Sequence, residues 1–198
     1  MPHTEDDKLP QMLDCSASIV VYNNSPQLLR AAAESFLGCS LKTHLWVVDN
    51  SPQPLLRSTL DGLLLDYHFY GSNAGYGKAH NWSIEHSQES RFYLIMNPDI
   101  VIAPGTMEKL IEFMDKNPGV GIVSPRVINE NGTDQFLNKR YPNVLDLFAR
   151  RFAPHIFTHL LKRRMDRYEM KDVGYEAICD VEVISGAFML CRTEALKA

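Results

Sequence analysis

No apolar run in this 198-residue chain approaches the ~18 to 20 residues needed to cross a bilayer, so nothing in it reads as a transmembrane helix. Cysteine is scarce. The four, at 15, 39, 179 and 191, include no CxxC pair or other zinc-like spacing, which fits a cytosolic chain with reduced thiols. Glycine and proline, 11 of each, are too few for a collagen-like or low-complexity chain. Met1 to Asp7 is acidic and polar and so lacks the basic start of a secretory signal. No internal repeat and no Gly/Ser/Pro-rich linker splits the chain. What remains is an ordinary globular composition, 45% hydrophobic and 22% charged, and one domain over residues 16–198 behind a tail of residues 1–15.

The net charge of −4 conceals an asymmetry. Between Lys139 and Arg167 eight basic residues face only Asp146 and Asp166, so this segment carries +6 and the rest of the chain −10. A nucleic-acid-binding surface needs positive charge more widely spread, so no nucleic-acid partner is expected. A local patch facing an anionic membrane fits better.

Hydrophobic patterning gives the organisation. Ser18 to Tyr22 is a β-branched run of the kind buried in parallel sheets. Ser25-Pro26 opens a helix that Gly38 ends. His44 to Val48, Leu63 to Phe69, Phe92 to Met96 and Val120 to Ser124 read as further strands, with a helix around Met107 to Met114. Asn131-Gly132 signals a hairpin. Val181 to Ser185 and Ala187 to Cys191 read as a last strand pair, or one strand interrupted at Gly186, before a helix begun by Thr193-Glu194. Strands alternating with helices predict an α/β fold around a mainly parallel sheet, with ligands beyond the carboxyl ends of the strands.

Three polar clusters fall at such ends: Tyr22-Asn23-Asn24, Asp49-Asn50-Ser51 and Asn97-Pro98-Asp99. A carboxylate there is held rigidly and reaches solvent. Asp99 suits Mg²⁺ or Mn²⁺, which take oxygen donors and complete their shells with phosphates, while Asn97 suits a sugar hydroxyl. Asp49 suits a nucleobase N–H or a ribose hydroxyl. The plain alternatives are an Asn-Pro-Asp turn and an Asx-turn respectively. Gly71 to Gly77 is a glycine-rich loop opening a helix, where backbone N–H groups approach phosphates and Lys78 adds charge; a simple tight turn competes with that reading. Its spacing is neither GxGxxG nor a P-loop. His80 is assigned no role.

In combination, SIVVYN, VVDNSP, NAGYGKAHN, FYLIMNPDI, VGIVSPRVINENG and VISGAFMLCRTEAL resemble the family 2 glycosyltransferases, and within them the rhamnosyltransferase-like enzymes of polysaccharide assembly. The resemblance spans residues 16 to 198. It implies a GT-A fold, with a nucleotide-sugar-binding half over about 16–125 and the start of an acceptor-side half over about 126–198. It further implies inverting, metal-dependent transfer of a sugar, with rhamnose the subgroup's suggestion, from a nucleotide-diphosphate donor to a saccharide or lipid-linked acceptor at the cytoplasmic side of a membrane. By the same resemblance Asp99 is the metal carboxylate, with Asn97 in place of the family's first aspartate. Asp49 contacts the base and Tyr22 lies in the base-binding strand end. Asn73, Gly75, Gly77 and Asn81 form the loop beside the donor, and Ser185 and Gly186 border the acceptor side. The family's Glu-Asp pair, which holds the catalytic base, is expected beyond Ala198, so the fold is read as C-terminally incomplete. Two other classes compete: a nucleotidyltransferase, and a non-catalytic nucleotide-sugar-binding module.

Over Leu145 to Met165, Phe148, Phe152, Ile156, Phe157, Leu160, Leu161 and Met165 recur at mostly helical intervals, broken near Pro154 and flanked by Arg150, Arg151, Lys162, Arg163, Arg164 and Arg167. This is the pattern of a helix lying on an anionic membrane surface, where each Lys or Arg contributes on the order of 1 kcal/mol. The protein is expected to co-sediment with anionic liposomes at low salt and to be released at high salt. Exchange of Arg163, Arg164 and Arg167 for Gln is expected to abolish the effect. Equally poor retention by neutral and anionic vesicles would assign the stripe to the core instead.

Overall fold

The computed structural model describes residues 12–141, 166–174 and 177–197. By its internal contacts the chain divides into two compact units, Met1–Val123 with Phe188–Ala198, and Ser124–Ala187.

The first unit is built on a six-stranded sheet. In chain order its elements are β1 (Leu13–Val21), α1 (Pro26–Leu37), β2 (Thr43–Asp49), a 3-10 turn (Arg57–Leu60), β3 (Asp66–Phe69), α2 (Tyr76–His86), β4 (Ser90–Met96), α3 (Thr106–Lys116), β5 (Ile122–Val123), β6 (Phe188–Arg192) and α4 (Thr193–Leu196). The strand order is β3-β2-β1-β4-β6-β5. β1 pairs in parallel with both β2 and β4, β2 in parallel with β3, and β6 runs antiparallel to both β4 and β5. The expected mainly parallel α/β sheet is what forms.

Alternation along the strands sorts the two faces. Cys15, Ala17, Ile19 and Val21 of β1, Leu45 and Val47 of β2, and Phe92, Leu94 and Met96 of β4 share one core with Leu29, Ala33 and Phe36 of α1 and Met107, Ile111 and Met114 of α3. The opposite face of β1 carries Ser16, Ser18 and Val20, all buried. These small side chains let α2 pack closely, with Ala79 against Val20 and Val48 and with Trp46, Tyr70 and Trp82 around them. Trp82 is sandwiched between the imidazoles of His68 and His86, with ring centroids 3.8 and 4.0 Å away, and meets Trp46 edge-on at 5.1 Å.

Two sequence expectations change. β1 begins at Leu13, five residues ahead of Ser18, and Tyr22 lies beyond its end. The serines at 16 and 18 dilute the hydrophobic signal, yet both are fully buried. Val181 to Ser185 does not pair with the strand that follows it. Phe188–Arg192 pairs with β4 and β5 instead, while Val183 forms an isolated bridge with Lys139, each N–H donating to the other's carbonyl at 3.1 Å.

In the second unit the Asn131-Gly132 signal does make a tight reversal. The Gly132 N–H donates to the Asn129 carbonyl at 2.9 Å, Gly132 takes φ +80°, and Ile128 bridges Asp134. Arg140 donates to both carboxylate oxygens of Asp172, which holds that carboxyl below its usual range. The stripe expected over Leu145 to Met165 lies outside the described residues. No helix among the described residues is long and apolar enough to cross a membrane.

One side chain ties the sheet to the end of α3. Arg192 of β6 donates to the carbonyls of Met114, Asn117 (3.1 Å) and Val120 (2.9 Å), adding a charged donor where Met114 and Asn117 already accept the Asn117 and Val120 N–H groups. Arg192→Met keeps the aliphatic bulk and strips the donors. It is expected to lower stability by about 2 to 4 kcal/mol, since charged hydrogen bonds contribute more than neutral ones. Urea midpoints followed by far-UV circular dichroism measure this. A midpoint equal to the wild type's would show that water replaces the guanidinium at no cost.

Candidate functional site

Strand order reverses direction at β1: the chain goes from β1 to β2 and β3 on one side, then returns to place β4 on the other. In open parallel sheets this reversal leaves a crevice beyond the carboxyl ends of the strands. A cleft of about 370 Å³ lies there. β1 supplies Val20, Val21, Tyr22 and Asn24 from its end, β2 supplies Asn50, the loop and start of α2 supply Asn73 and Tyr76, and β4 supplies Asn97, Pro98 and Asp99. The three polar clusters picked out in the sequence therefore meet in one place.

Short hydrogen bonds brace the rim. The Asn50 N–H donates to the Val21 carbonyl at 2.9 Å and the Asn23 N–H to Ser51 Oγ at 2.9 Å, with Asn23 at φ +52°. Asparagine tolerates that left-handed backbone better than most residues. The Tyr22 N–H donates to Asn24 Oδ1 at 2.7 Å, and the Gly75 N–H to Asn73 Oδ1 at 3.0 Å. Gly75, at φ +89°, turns the loop into α2.

Asp49 departs from expectation. Its carboxylate is 0% exposed and does not point into solvent. Oδ1 accepts from the Ser51 N–H at 2.8 Å, the Asx-turn that competed with base contact in the sequence, and Oδ2 accepts from the Tyr67 hydroxyl. Burial, and then that bond, hold the Tyr67 phenol well above its ordinary range. Gly77 and Lys78 lie within the first turn of α2 rather than in the loop, and Lys78 and Asn81 are exposed outside the cleft lining. Ser185 and Gly186 belong to the second compact unit, where Ser185 Oγ accepts from the Ala187 N–H at 3.3 Å.

Two cleft residues to which the sequence assigned no role of their own stand out. Asn50 is 2% exposed; its Nδ2 donates to the Gly75 carbonyl at 3.3 Å, and its Oδ1 has no partner among the described residues. A buried acceptor left unmet costs about 1 to 3 kcal/mol, and the described residues supply no donor for this one. Tyr76 is the other; its exposed ring lines the cleft. Its signal was hidden because aromatic residues at helix starts more often serve packing.

Among the described residues no group of three or more His, Cys, Asp or Glu side chains is placed to hold a metal. Among the described residues Asp99 is the one carboxylate lining the cleft, exposed at the end of β4. That donor set suits a hard divalent cation that arrives with a diphosphate, because Mg²⁺-type ions are commonly held by one or two carboxylates plus substrate phosphates.

Behind the cleft lies a buried polar row. Ser18 Oγ and His80 Nδ1 share a hydrogen bond of 2.7 Å, Ser83 Oγ donates to the His80 carbonyl at 2.7 Å, and the Tyr93 hydroxyl donates to Ser83 Oγ at 3.0 Å. His80, unassigned by sequence, is 2% exposed, and the ring of Tyr76 stands edge-on to it at 4.3 Å.

The sheet, its helices on both faces and a polar cleft at the reversal point define an α/β fold of the GT-A kind. The profile of the family described as Glycosyl transferase family 2 matches residues 16–196, and the chain belongs to that family. The minor teichoic acid biosynthesis protein GgaB of Bacillus subtilis (strain 168) is 24% identical over 112 residues, which make up 55% of this chain and 12% of that protein. Among solved structures, S. aureus TarS 1-349 superposes with a TM-score of 0.56 at 17% identity, over 93% of this chain and 48% of that one. The mannosyltransferase PcManGT from Pyrobaculum calidifontis, in complex with GDP-Man and Mn²⁺, gives 0.52 at 19% identity over 60% of this chain and 36% of that one. The chain thus spans less than half the length of each of these relatives. Family membership decides against the nucleotidyltransferase reading.

Burial pushes the His80 imidazole down from its ordinary 6.5 to about 4. The unfolded chain takes up a proton as pH falls through 6.5, whereas the folded protein does so only near 4. The stability tied to neutral His80 is therefore complete above 6.5 and is lost between 6.5 and 4, by about 3 kcal/mol. His80→Gln is expected to flatten the fall in urea midpoint over that window. Parallel slopes in the two proteins would count against the assignment.

Proposed function

We propose that the cleft binds the nucleotide-diphosphate part of a sugar donor, in a family 2 glycosyltransferase that passes the sugar to a saccharide or lipid-linked acceptor. The observation that carries this reading is the buried, unpartnered Oδ1 of Asn50 in a cleft whose other wall holds Asp99. Asn50 Oδ1 accepts an N–H from the base edge, as in the imide of uracil or thymine or the N1–H of guanine, and the exposed ring of Tyr22 offers a stacking face. Asp49 acts beneath, fixing the Asp49-Asn50-Ser51 turn rather than touching the base. The loop of Asn73 and Gly75 borders the phosphates, and Asn97 lies beside Asp99 at the diphosphate end of the cleft.

Asp99 is the residue that would hold Mg²⁺ or Mn²⁺. Such an ion supplies Lewis-acid neutralisation of the diphosphate as it leaves, which agrees with an inverting displacement. Asp99 itself contributes charge and position. Rhamnose is the first donor sugar to test, from the subgroup likeness of the motifs, with dTDP as its carrier. Teichoic acid synthesis in the relative GgaB supports a cell-wall polymer as the acceptor class and a site of action at the inner membrane face.

Calorimetric titration of UDP, dTDP and GDP with and without Mn²⁺ tests the reading. Asp99→Asn is expected to keep the fold and lose the Mn²⁺-dependent gain in affinity. Asn50→Ala is expected to weaken the nucleoside itself about 5- to 100-fold, the equivalent of one buried hydrogen-bonding group, with or without metal. Undiminished Mn²⁺-dependent affinity in the first variant would remove Asp99 from the role. Undiminished nucleoside affinity in the second would remove Asn50.

A further inference from the structure

Tyr76 stands where the cleft and the buried row behind it meet. It opens α2 directly after Gly75, whose N–H is held by Asn73 and whose carbonyl is held by Asn50, so its backbone is fixed from two sides. The ring is set edge-on against buried His80, which Ser18 anchors in turn. A side chain clamped at both backbone and ring delivers its hydroxyl to a defined point. That point is Asn97: the Tyr76 hydroxyl donates to Asn97 Oδ1 at 3.3 Å, across the cleft mouth from α2 to the end of β4.

The consequence follows from the chemistry of an amide. A carboxylate at position 97 would accept through both oxygens. Asn97 accepts through Oδ1 and donates through Nδ2, and with Oδ1 engaged by Tyr76 the planar group turns Nδ2 away from the phenol. The strand-end element then offers a ligand one carboxylate, from Asp99, and one neutral N–H donor, from Asn97. We propose that Tyr76 is a positioning residue for the diphosphate end of the cleft, holding Asn97 so that its amide nitrogen donates to an oxygen of the bound nucleotide diphosphate beside Asp99. This rests on the donor-cleft reading above and adds to it a residue and the polarity of a contact. Burial and the charge of Asp99 push the Tyr76 phenol up to about 12, so it stays a protonated donor throughout the neutral range.

Tyr76→Phe tests this, since it keeps the ring against His80 and deletes only the hydroxyl. The probes are UDP with Mn²⁺ (or dTDP or GDP, whichever the wild type binds) and the matching nucleoside alone. Tyr76→Phe is expected to weaken the nucleoside diphosphate about five-fold, as for one hydrogen bond, and to leave the nucleoside within about two-fold. In Tyr76→Phe/Asn97→Ala the loss is expected to match that of Asn97→Ala alone, because the hydroxyl acts through Asn97. In the ligand-free protein the Asn97 side-chain amide resonances, identified by their disappearance in Asn97→Ala, are expected to shift in Tyr76→Phe. Equal losses for diphosphate and nucleoside would overturn the proposal in favour of stacking on the base. Additive losses in the double variant, or unmoved Asn97 resonances, would overturn it by breaking the link. Wild-type protein that binds no nucleotide would instead overturn the donor-cleft reading itself, an outcome distinguishable from wild-type binding that Tyr76→Phe leaves unchanged.

Discussion

The parallel pairing of β1 with both β2 and β4 is the constraint from which the rest follows. A strand with neighbours on both edges has no free backbone groups, and its two faces must be covered. The Cys15-Ala17-Ile19-Val21 face takes α1 and α3. The Ser16-Ser18-Val20 face takes α2, and the serines hydrogen-bond outward to Gln88 and His80 instead of remaining unmet. Because the chain reverses at this strand, the turns after β1, β2 and β4 open side by side. The cleft is a product of topology before any side chain contributes to it.

Rigidity at the cleft comes from asparagine and aspartate used against the backbone. Asn24, Asn73 and Asp49 each accept a backbone N–H two residues away along the chain, while Asn50 donates to the Gly75 carbonyl. These bonds consume some of the polar capacity of the site and leave a smaller set aimed at ligand. The same residue type thus serves as scaffold at one position and as reader at another, and only geometry separates the two.

That is why the site was only partly legible in sequence. The α/β class, the strand ends and the position of Asp99 at one of them could be read because hydrophobic runs followed by polar clusters carry those signals directly. Asp49 and Asn50 are adjacent, and no pattern in VVDNSP says which one faces the cleft. Strand alternation decides it: Asp49, paired with Val21, turns inward to meet Tyr67, and the next residue emerges. His80 and Tyr76 were invisible for a related reason, since their significance lies in contacts with Ser18 and Asn97 across 62 and 21 residues of sequence. The early start of β1 was masked by buried serines, and the false strand pair near Gly186 arose because Val183 has its partner at Lys139 rather than in the next run.

The sandwich of Trp82 between His68 and His86 has a spectroscopic consequence. Trp46 and Trp82 are the two tryptophans of the chain, and they touch each other on the α2 face of the sheet. Intrinsic indole emission therefore originates in a single patch of the first unit. With an imidazole on each face of Trp82, its quantum yield carries the protonation state of two histidines as well as the packing of α2. An emission trace of this protein is in effect a local optical probe of one helix, not a measure of the whole chain.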